Sequence, residues 1–299
     1  MVSPSGDNGD SWRIGGVPSS GGGSLPAAEV VFGPAADGED SLLGELAAVA
    51  LEAAAGAGAI AAGALGGDVR VETKSSITDM VSEVDRRCED HIAGVIDRCR
   101  PDDGLLGEES AERAGSSGVR WVVDPLDGTT NYLFGVPAWA VSVAAEIGGR
   151  PVVGVVLDPS RGELWAAVTG RGARCNGRPV RAAEGRSELA TALVATGFGY
   201  DRERRAWQAE VLRSVLPEVR DVRRFGAASL DLCWVAGGRV DAYYEWGLQP
   251  WDLAAGALIC AEAGAVVSSE DGLCRASTAS LAAPLARLLA SAVADLPRR

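Results

Sequence analysis

From Arg120 onward the sequence is cut into short apolar runs, each closed by Gly, Pro or Asp: RWVVD, VSVAAEI, VVGVVLDP and ELWAAV. Runs of this length, rich in Val and bounded by turn formers, predict strands, and Asn176-Gly177 within RGARCNGRPV is a hairpin signal. Beyond residue 186 the pattern changes. ALVATGF, RDVRRF, VDAYYE and AVVS read as strands, separated by helical segments near 204–215, 227–236 and 251–263, with SLAAPLARLLASAV as a final helix. Such alternation predicts a layered α/β architecture in the second half. The break near Gly185 is the expected lobe boundary, dividing an N-terminal α+β lobe, 40–185, from a C-terminal α/β lobe, 186–299.

Upstream of these strands the signals are helical. Residues 1–39, rich in Gly, Ser, Pro and Asp and without periodicity, predict a disordered tail. Asp40 or Ser41 is placed to cap a helix that Gly66 and Gly67 end. A second helix is expected at 83–99, where Val84, Cys88, Ile92 and Ile96 recur every four residues. The run from Leu46 to Leu65 is mainly Ala and Gly and contains Glu52, so it predicts a packed helix rather than a membrane span. The N-terminus has neither a basic region nor an apolar one of the secretory kind, and a cytoplasmic protein is expected. Six widely spaced cysteines (Cys88, Cys99, Cys175, Cys233, Cys260 and Cys274) form no CxxC pair, which predicts core thiols rather than a zinc or redox site.

Charge narrows the possible partners. With 41 Asp+Glu against 28 Lys+Arg and a net charge of −13, the chain has no positive excess to displace counterions, so neither nucleic acid nor an anionic membrane is an expected partner. What matters is where the acids fall. DPLDGTTNY, 124–132, follows the apolar run WVV. Pro125 disfavours helix at Asp124, so the chain is expected to leave the strand in an extended loop presenting Asp124, the Leu126 carbonyl and Asp127 toward one point. An all-oxygen set suits a hard divalent cation. Gly128, Thr129 and Thr130 then offer amides and hydroxyls for a phosphate. Read alone, the segment is also an ordinary Asp-Pro, Asp-Gly turn with Thr capping a helix. Glu108 and Glu109 likewise follow apolar residues into a loop, Asp79 and Asp85 bracket a short polar segment with Lys74 upstream, and Asp252 in PWDLAAG is placed as a helix N-cap.

KSSITDMVSEVD, GEES, DPLDGTTNY and the stretch from Arg224 to Ala265, in this order, resemble the motif set of the inositol monophosphatase family, particularly its bacterial SuhB-type branch. The resemblance runs from about residue 41 to the C-terminus. It implies the αβαβα sandwich of the inositol monophosphatase and fructose-1,6-bisphosphatase type, a homodimer, and two or three Mg2+ ions per site. One ion would be held by Glu108, Asp124 and the Leu126 carbonyl, and a second by Asp124, Asp127 and Asp252, with a third near Glu108. Thr129 paired with Asp85 would orient or deprotonate the attacking water, and Gly128 and Thr129 amides would hold phosphate. Gly226, Ala228 and Glu245 match positions lining a polyol site, and Asp79, Lys74 and Glu109 would support the site from behind.

The implied activity is hydrolysis of inositol 1-phosphate by metal-activated water attack, sensitive to lithium. Phosphate monoesters are among the slowest esters to hydrolyse unaided, so an acid/base pair worth about 10^2 to 10^4 is not enough without metal charge. A phosphohistidine route would need His91, which the periodicity puts in the 83–99 helix, and a phosphoaspartate route would spend Asp124 or Asp127. Histidinol phosphate, fructose 1,6-bisphosphate and 3′-phosphoadenosine nucleotides are alternative substrates of related enzymes, and a non-catalytic binding protein that keeps the fold is the alternative of another class. Two features depart from the family pattern: the long tail, and GLCRASTASLA at 272–282, more polar than the expected last strand. Trp139, Trp165 and Trp234 are candidates for a dimer contact, with core packing the favoured reading of each.

Overall fold

The structure, a computed structural model, describes residues 11–13, 31–32, 39–73, 80–183 and 186–297. Its centre is a seven-stranded sheet in the order β10-β9-β8-β7-β6-β5-β4. The strands are β4 (Gly104–Gly107), β5 (Val119–Asp127), β6 (Ala140–Ile147), β7 (Arg150–Asp158), β8 (Glu163–Val168), β9 (Ala173–Cys175) and β10 (Arg178–Val180). Only the β4–β5 pair is parallel within this sheet. Both faces are covered, which is why β5 to β8 read as nearly continuous Val and Ala. Trp121 and Val123 enter the core on one side, and Val122 between them enters the core on the other.

On the first face lie α1 (Glu39–Ala64) and α2 (Glu83–Cys99). Small side chains explain their close approach: Ala50, Ala53, Ala54, Ala57 and Ala61 of α1 are all buried. By length and composition α1 could cross a membrane, yet this stripe packs into the core against α2, β6 and β7. Ser82 caps α2 by accepting from the Val84 and Asp85 amides, and Asp85 accepts from the Ser82 amide in return.

The other face carries α5 (Ala228–Ala236) and α6 (Pro250–Glu262), which sit between the central sheet and a second one of order β12-β11-β13-β15-β14. Its strands are β11 (Leu193–Thr196), β12 (Asp221–Arg223), β13 (Ala242–Trp246), β14 (Val266–Glu270) and β15 (Leu273–Ser277). α4 (Arg202–Val215) and α7 (Ala279–Val293) cover its far side around Val194, Ala242 and Tyr244. The result is the expected five-layer αβαβα sandwich, with α5 and α6 held in a core shared by both sheets.

Several details differ from the sequence expectations. α1 begins at Glu39, so Asp40 and Ser41 lie in its first turn rather than capping it. β5 continues through Asp127 with a register irregularity after Asp124, instead of leaving the sheet at Asp124, because the antiparallel partner β6 pairs again at Ala140. The polar segment near the C-terminus forms β15 inside the second sheet: Cys274 and Ala276 are buried, and the Arg275 side chain reaches Ser268 and Glu270. Of the expected tail, Ser11–Arg13 (β1) pairs with β2 (Asp68–Thr73), which pairs with β3 (Met80–Ser82), and Val31 and Phe32 are buried. Glu39 begins α1, and the tail's other positions and the expected boundary at Gly185 lie outside the described residues. Trp139, Trp165 and Trp234 are core residues, not surface contacts. Four cysteines are buried, Cys175 is half-buried and Cys99 is exposed, the last unlike a core thiol. Asn176 and Gly177 both have positive φ, 49° and 75°, as a type I′ hairpin requires.

Gly154 of β7 decides how closely α6 can approach. A Cβ there would lie 2.8 Å from the Ala255 carbonyl oxygen and 3.0 Å from its Cα. Gly154→Ala is therefore expected to cost about 1–3 kcal/mol, read as a lowered urea midpoint; an unchanged midpoint would show that α6 can move away freely.

Candidate active site

The ends of β4, β5 and β13 and the starts of α5 and α6 open on one cavity of about 450 Å3. Glu108, Asp124, Leu126, Asp127, Gly128, Thr129, Gly226, Ala228, Glu245 and Asp252 all line it, although they come from five separate stretches of chain. Asp85 is behind the lining and reaches it through Thr129, whose hydroxyl is 2.9 Å from Asp85 Oδ1 and 3.0 Å from the Leu126 carbonyl. Each position has a local cause. Pro125 keeps the backbone extended, so the Leu126 amide can turn back and donate to Asp124 Oδ1 at 2.9 Å. Gly128 then has φ 87°, and a Cβ there would lie 3.0 Å from the Ala138 carbonyl oxygen and 3.2 Å from Gly226 O. Only glycine fits such a turn, and it starts α3 (Thr129–Leu133), which carries the Thr129 hydroxyl.

The acidic side chains are turned on to backbone donors. Asp127 accepts from the Ala228 and Ser229 amides at the start of α5, at 3.2 and 2.8 Å, and from the Ser229 hydroxyl at 2.5 Å. Asp252 is the third residue of α6 rather than its cap: Pro250 begins the helix, and the Gln249 amide donates to Asp252 Oδ2 at 2.7 Å. Glu245 accepts from the Tyr243 hydroxyl at 2.7 Å, and its carboxylate occupies the space a side chain at Gly197 would need.

Burial governs the electrostatics, and crowding of like charges adds to it. Burial raises Asp124 well above the usual carboxylate range, and Glu108, Asp127 and Asp252 raise it further. Burial likewise pushes Asp127 and Asp85 up to about 6, against the pull of their Ser229 and Ser82 hydrogen bonds. Asp252 is raised by burial and by Asp127. Glu245 is pushed up to about 7 by burial, while Tyr243 and Arg224 draw it back. Among the described residues no three His, Cys, Asp or Glu side chains form a finished ion cage. The chemistry of the donors nevertheless suits a hard cation: they are all oxygens, they share one cavity, and they repel one another, which a divalent ion would relieve.

Some cavity residues were not anticipated from sequence. Arg204, Arg224, Tyr200 and Trp246, to which the motifs assign no role, also line the cavity. Asp231 is buried on α5 with Oδ1 unpartnered and is not one of the residues lining the cavity. The glycines of TGFG, 196–199, were the available signal, since they allow a loop to approach the site closely. Glu109 is beside the site, its amide donating to Glu89 at 2.9 Å, and Lys74 and Asp79 lie outside the described residues. His91 packs on α2 against Gly56 of α1 and does not line the cavity.

The sequence model of the inositol monophosphatase family matches residues 42–297. The chain belongs to the inositol monophosphatase family. It is 50% identical over 209 residues to inositol-1-monophosphatase SuhB of Mycobacterium tuberculosis, covering 67% of this chain and 72% of that one. It is 43% identical over 202 residues to a protein of Pasteurella multocida named Nus factor SuhB, covering 67% and 75%. Among solved structures, the extragenic suppressor protein suhB of Bartonella henselae superposes with a TM-score of 0.76 at 39% identity, over 81% of this chain and 96% of that one. Family and relatives together indicate a phosphatase of the inositol monophosphatase family.

A group whose pKa is higher in the folded than in the unfolded state binds protons preferentially when folded, so stability falls as pH rises between the two values. For this phosphatase Asp85 and Asp127 stand near 6 and Glu245 near 7. In metal-free buffer the urea midpoint is expected to fall from about pH 4 to about pH 7 and then level off. A midpoint that rises across that window would contradict the raised values of these buried acids.

Proposed function

We propose that this member of the family is a Mg2+-dependent phosphomonoesterase that hydrolyses inositol 1-phosphate to inositol and phosphate. The observation that carries the reading is the set of mutually repelling carboxylates Asp124, Asp127 and Asp252 around one cavity, with the Thr129–Asp85 pair beside it. Glu108, Asp124, Asp127, Asp252 and the Leu126 carbonyl would hold two or three Mg2+ ions. Bound Mg2+ supplies positive charge that polarises phosphoryl oxygens and makes water a nucleophile near neutral pH.

The chain's own groups do the rest. Thr129 donates to Asp85, which leaves the hydroxyl oxygen able to accept a hydrogen bond from the attacking water and so aim it. Asp85, near 6, has the basicity to take up the proton as the water attacks. The Gly128 and Thr129 amides hold the phosphate oxygens, and the polyol lies toward Gly226, Ala228 and Glu245, with Glu245 accepting from ring hydroxyls. No side chain is needed as a covalent carrier, so one displacement by water completes the reaction.

Phosphate release from inositol 1-phosphate, compared with histidinol phosphate, fructose 1,6-bisphosphate and a 3′-phosphoadenosine nucleotide, tests the substrate. A dominant rate on histidinol phosphate would overturn it. Asp124→Asn is expected to lose about 10^3-fold or more in rate with its circular dichroism spectrum unchanged; near-normal turnover would sink the metal-holding role.

Millimolar Mg2+ is expected to raise the melting temperature, by the equivalent of about 2.7 kcal/mol at a hundredfold excess over Kd, and EDTA to reverse it. LiCl is expected to slow hydrolysis. An unchanged melting curve would remove the support for a multi-metal site. The Nus factor name of other relatives favours a second reading, an interaction role beside catalysis. A partner captured equally by the native protein and by Asp124→Asn would establish it. A homodimer and a cytoplasmic location belong to the same proposal.

A further inference from the structure

β4 is an edge strand of the central sheet, and its ladder with β5 ends where Gly107 pairs with Val123. Glu108, the next residue, lines the cavity. A ligand placed just past the end of an edge strand needs something other than the sheet to fix its backbone. The carboxyl group of Glu89, on α2, meets the turn on both sides of Glu108. Its Oε2 accepts from the Glu109 amide at 2.9 Å. A Cβ at Gly107 would lie 2.5 Å from its Oε1 and 2.6 Å from its Cδ and Oε2, so the carboxyl group rests in space that any side chain at 107 would claim.

Glu89 is 4% exposed, and among the described residues no donor reaches its Oε1. A buried acceptor without a donor is unfavourable, and the hydrogen bond that the carboxylate does make goes to the backbone of this turn. Asp85 stands four residues earlier on α2, one helical turn away on the same face, and reaches Thr129. One helix therefore holds two parts of the site, the Thr129 hydroxyl through Asp85 and the backbone around Glu108 through Glu89. α2 is itself fixed by its capping box at Ser82 and by the buried Val84, Cys88, Ile92 and Ile96.

We propose that Glu89 is a positioning residue for Glu108: it grips the 107–109 turn so that the Glu108 carboxylate is presented to a divalent cation shared with Asp124. This rests on the metal-dependent phosphomonoesterase reading above and adds a residue to it. Glu89 does not line the cavity and holds no cation itself. Groups that orient a metal ligand by hydrogen bonding contribute about 10- to 100-fold to metal affinity. Here the hold is on the backbone beside the ligand, so it sets where the Glu108 carboxylate points. A second effect has to be separated from it, because the negative charge of Glu89 would attract a cation through space whatever the turn did. Glutamine at position 89 removes that charge and keeps an oxygen able to accept from the Glu109 amide.

The test is calorimetric titration of the full chain with Ca2+, free of any turnover, on the native protein and on Glu89→Ala, Glu89→Gln, Gly107→Ala, Glu108→Gln and the Glu89→Ala/Glu108→Gln pair, with circular dichroism to check folding. Glu89→Ala is expected to weaken Ca2+ binding about tenfold or more, and Glu89→Gln to restore most of that loss. Gly107→Ala, whose methyl group displaces the Glu89 carboxyl from the turn, is expected to match Glu89→Ala and decides the matter if Glu89→Ala does not fold. Added to Glu108→Gln, the Glu89→Ala change is expected to weaken binding no further, since it acts through Glu108. Native affinity in Glu89→Ala or Gly107→Ala, an equal loss in Glu89→Gln, or an undiminished loss on the Glu108→Gln background would overturn the positioning role while leaving the metal site standing. A native protein that takes up no Ca2+ would overturn the metal-dependent reading, and the role of Glu89 with it.

Discussion

The carboxylate of Asp127 joins the two halves of the molecule. It leaves the last residue of β5 and accepts the first amides of α5, a helix contributed by residues a hundred positions later. Those amides have no partner within their own helix, and a carboxylate at that end is favoured by the helix dipole. The same contact brings α5 and α6 against the central sheet, and α6 delivers Asp252 to the cavity. Asp127 is thus both a structural joint and a wall of the site, and the cost of burying it is visible in its raised pKa.

The other acids follow the same arrangement on a smaller scale. Asp85 belongs to the capping box of α2 and also accepts from Thr129. Asp252 serves the capping box of α6 while lining the cavity. In each case a group in the first turn of a helix also serves the site, Asp252 directly and Asp85 through Thr129, so the carboxylates are held by backbone amides that do not change protonation. Such anchors fix direction while leaving the mutual repulsion of the cluster unrelieved. A site of this kind is rigid in its supports and strained in its charge, the condition under which a bound cation contributes both to folding and to chemistry.

How much could be read beforehand followed from how local each signal is. Strands β5 to β8 were legible because both faces of their sheet are buried, which leaves a continuous apolar record. The 83–99 helix was legible from one four-residue stripe, and the hairpin from Asn176-Gly177. β15 was less so: its alternation of buried Cys274 and Ala276 with Arg275 is that of a strand whose polar residue finds partners on β14, and those partners lie outside the segment itself. The continuation of β5 through Pro125 was missed for the same reason, since pairing with Ala140 resumes across the irregularity. Arg204 was not legible as a cavity residue, since it sits against Gly247, more than forty residues away in the chain.

By itself the sequence determined the layered class, the ordered motif set and the residue types that could hold oxygen-seeking cations, because strand periodicity, glycine turns and acid placement are short-range properties. The tertiary structure alone decided which of the acids share a cavity, how burial and mutual repulsion raise their pKa values, and that Arg204 and Arg224 stand in the same cavity. Those are consequences of distance between segments far apart in the chain, and Coulomb energies and desolvation depend on that distance rather than on order along the backbone.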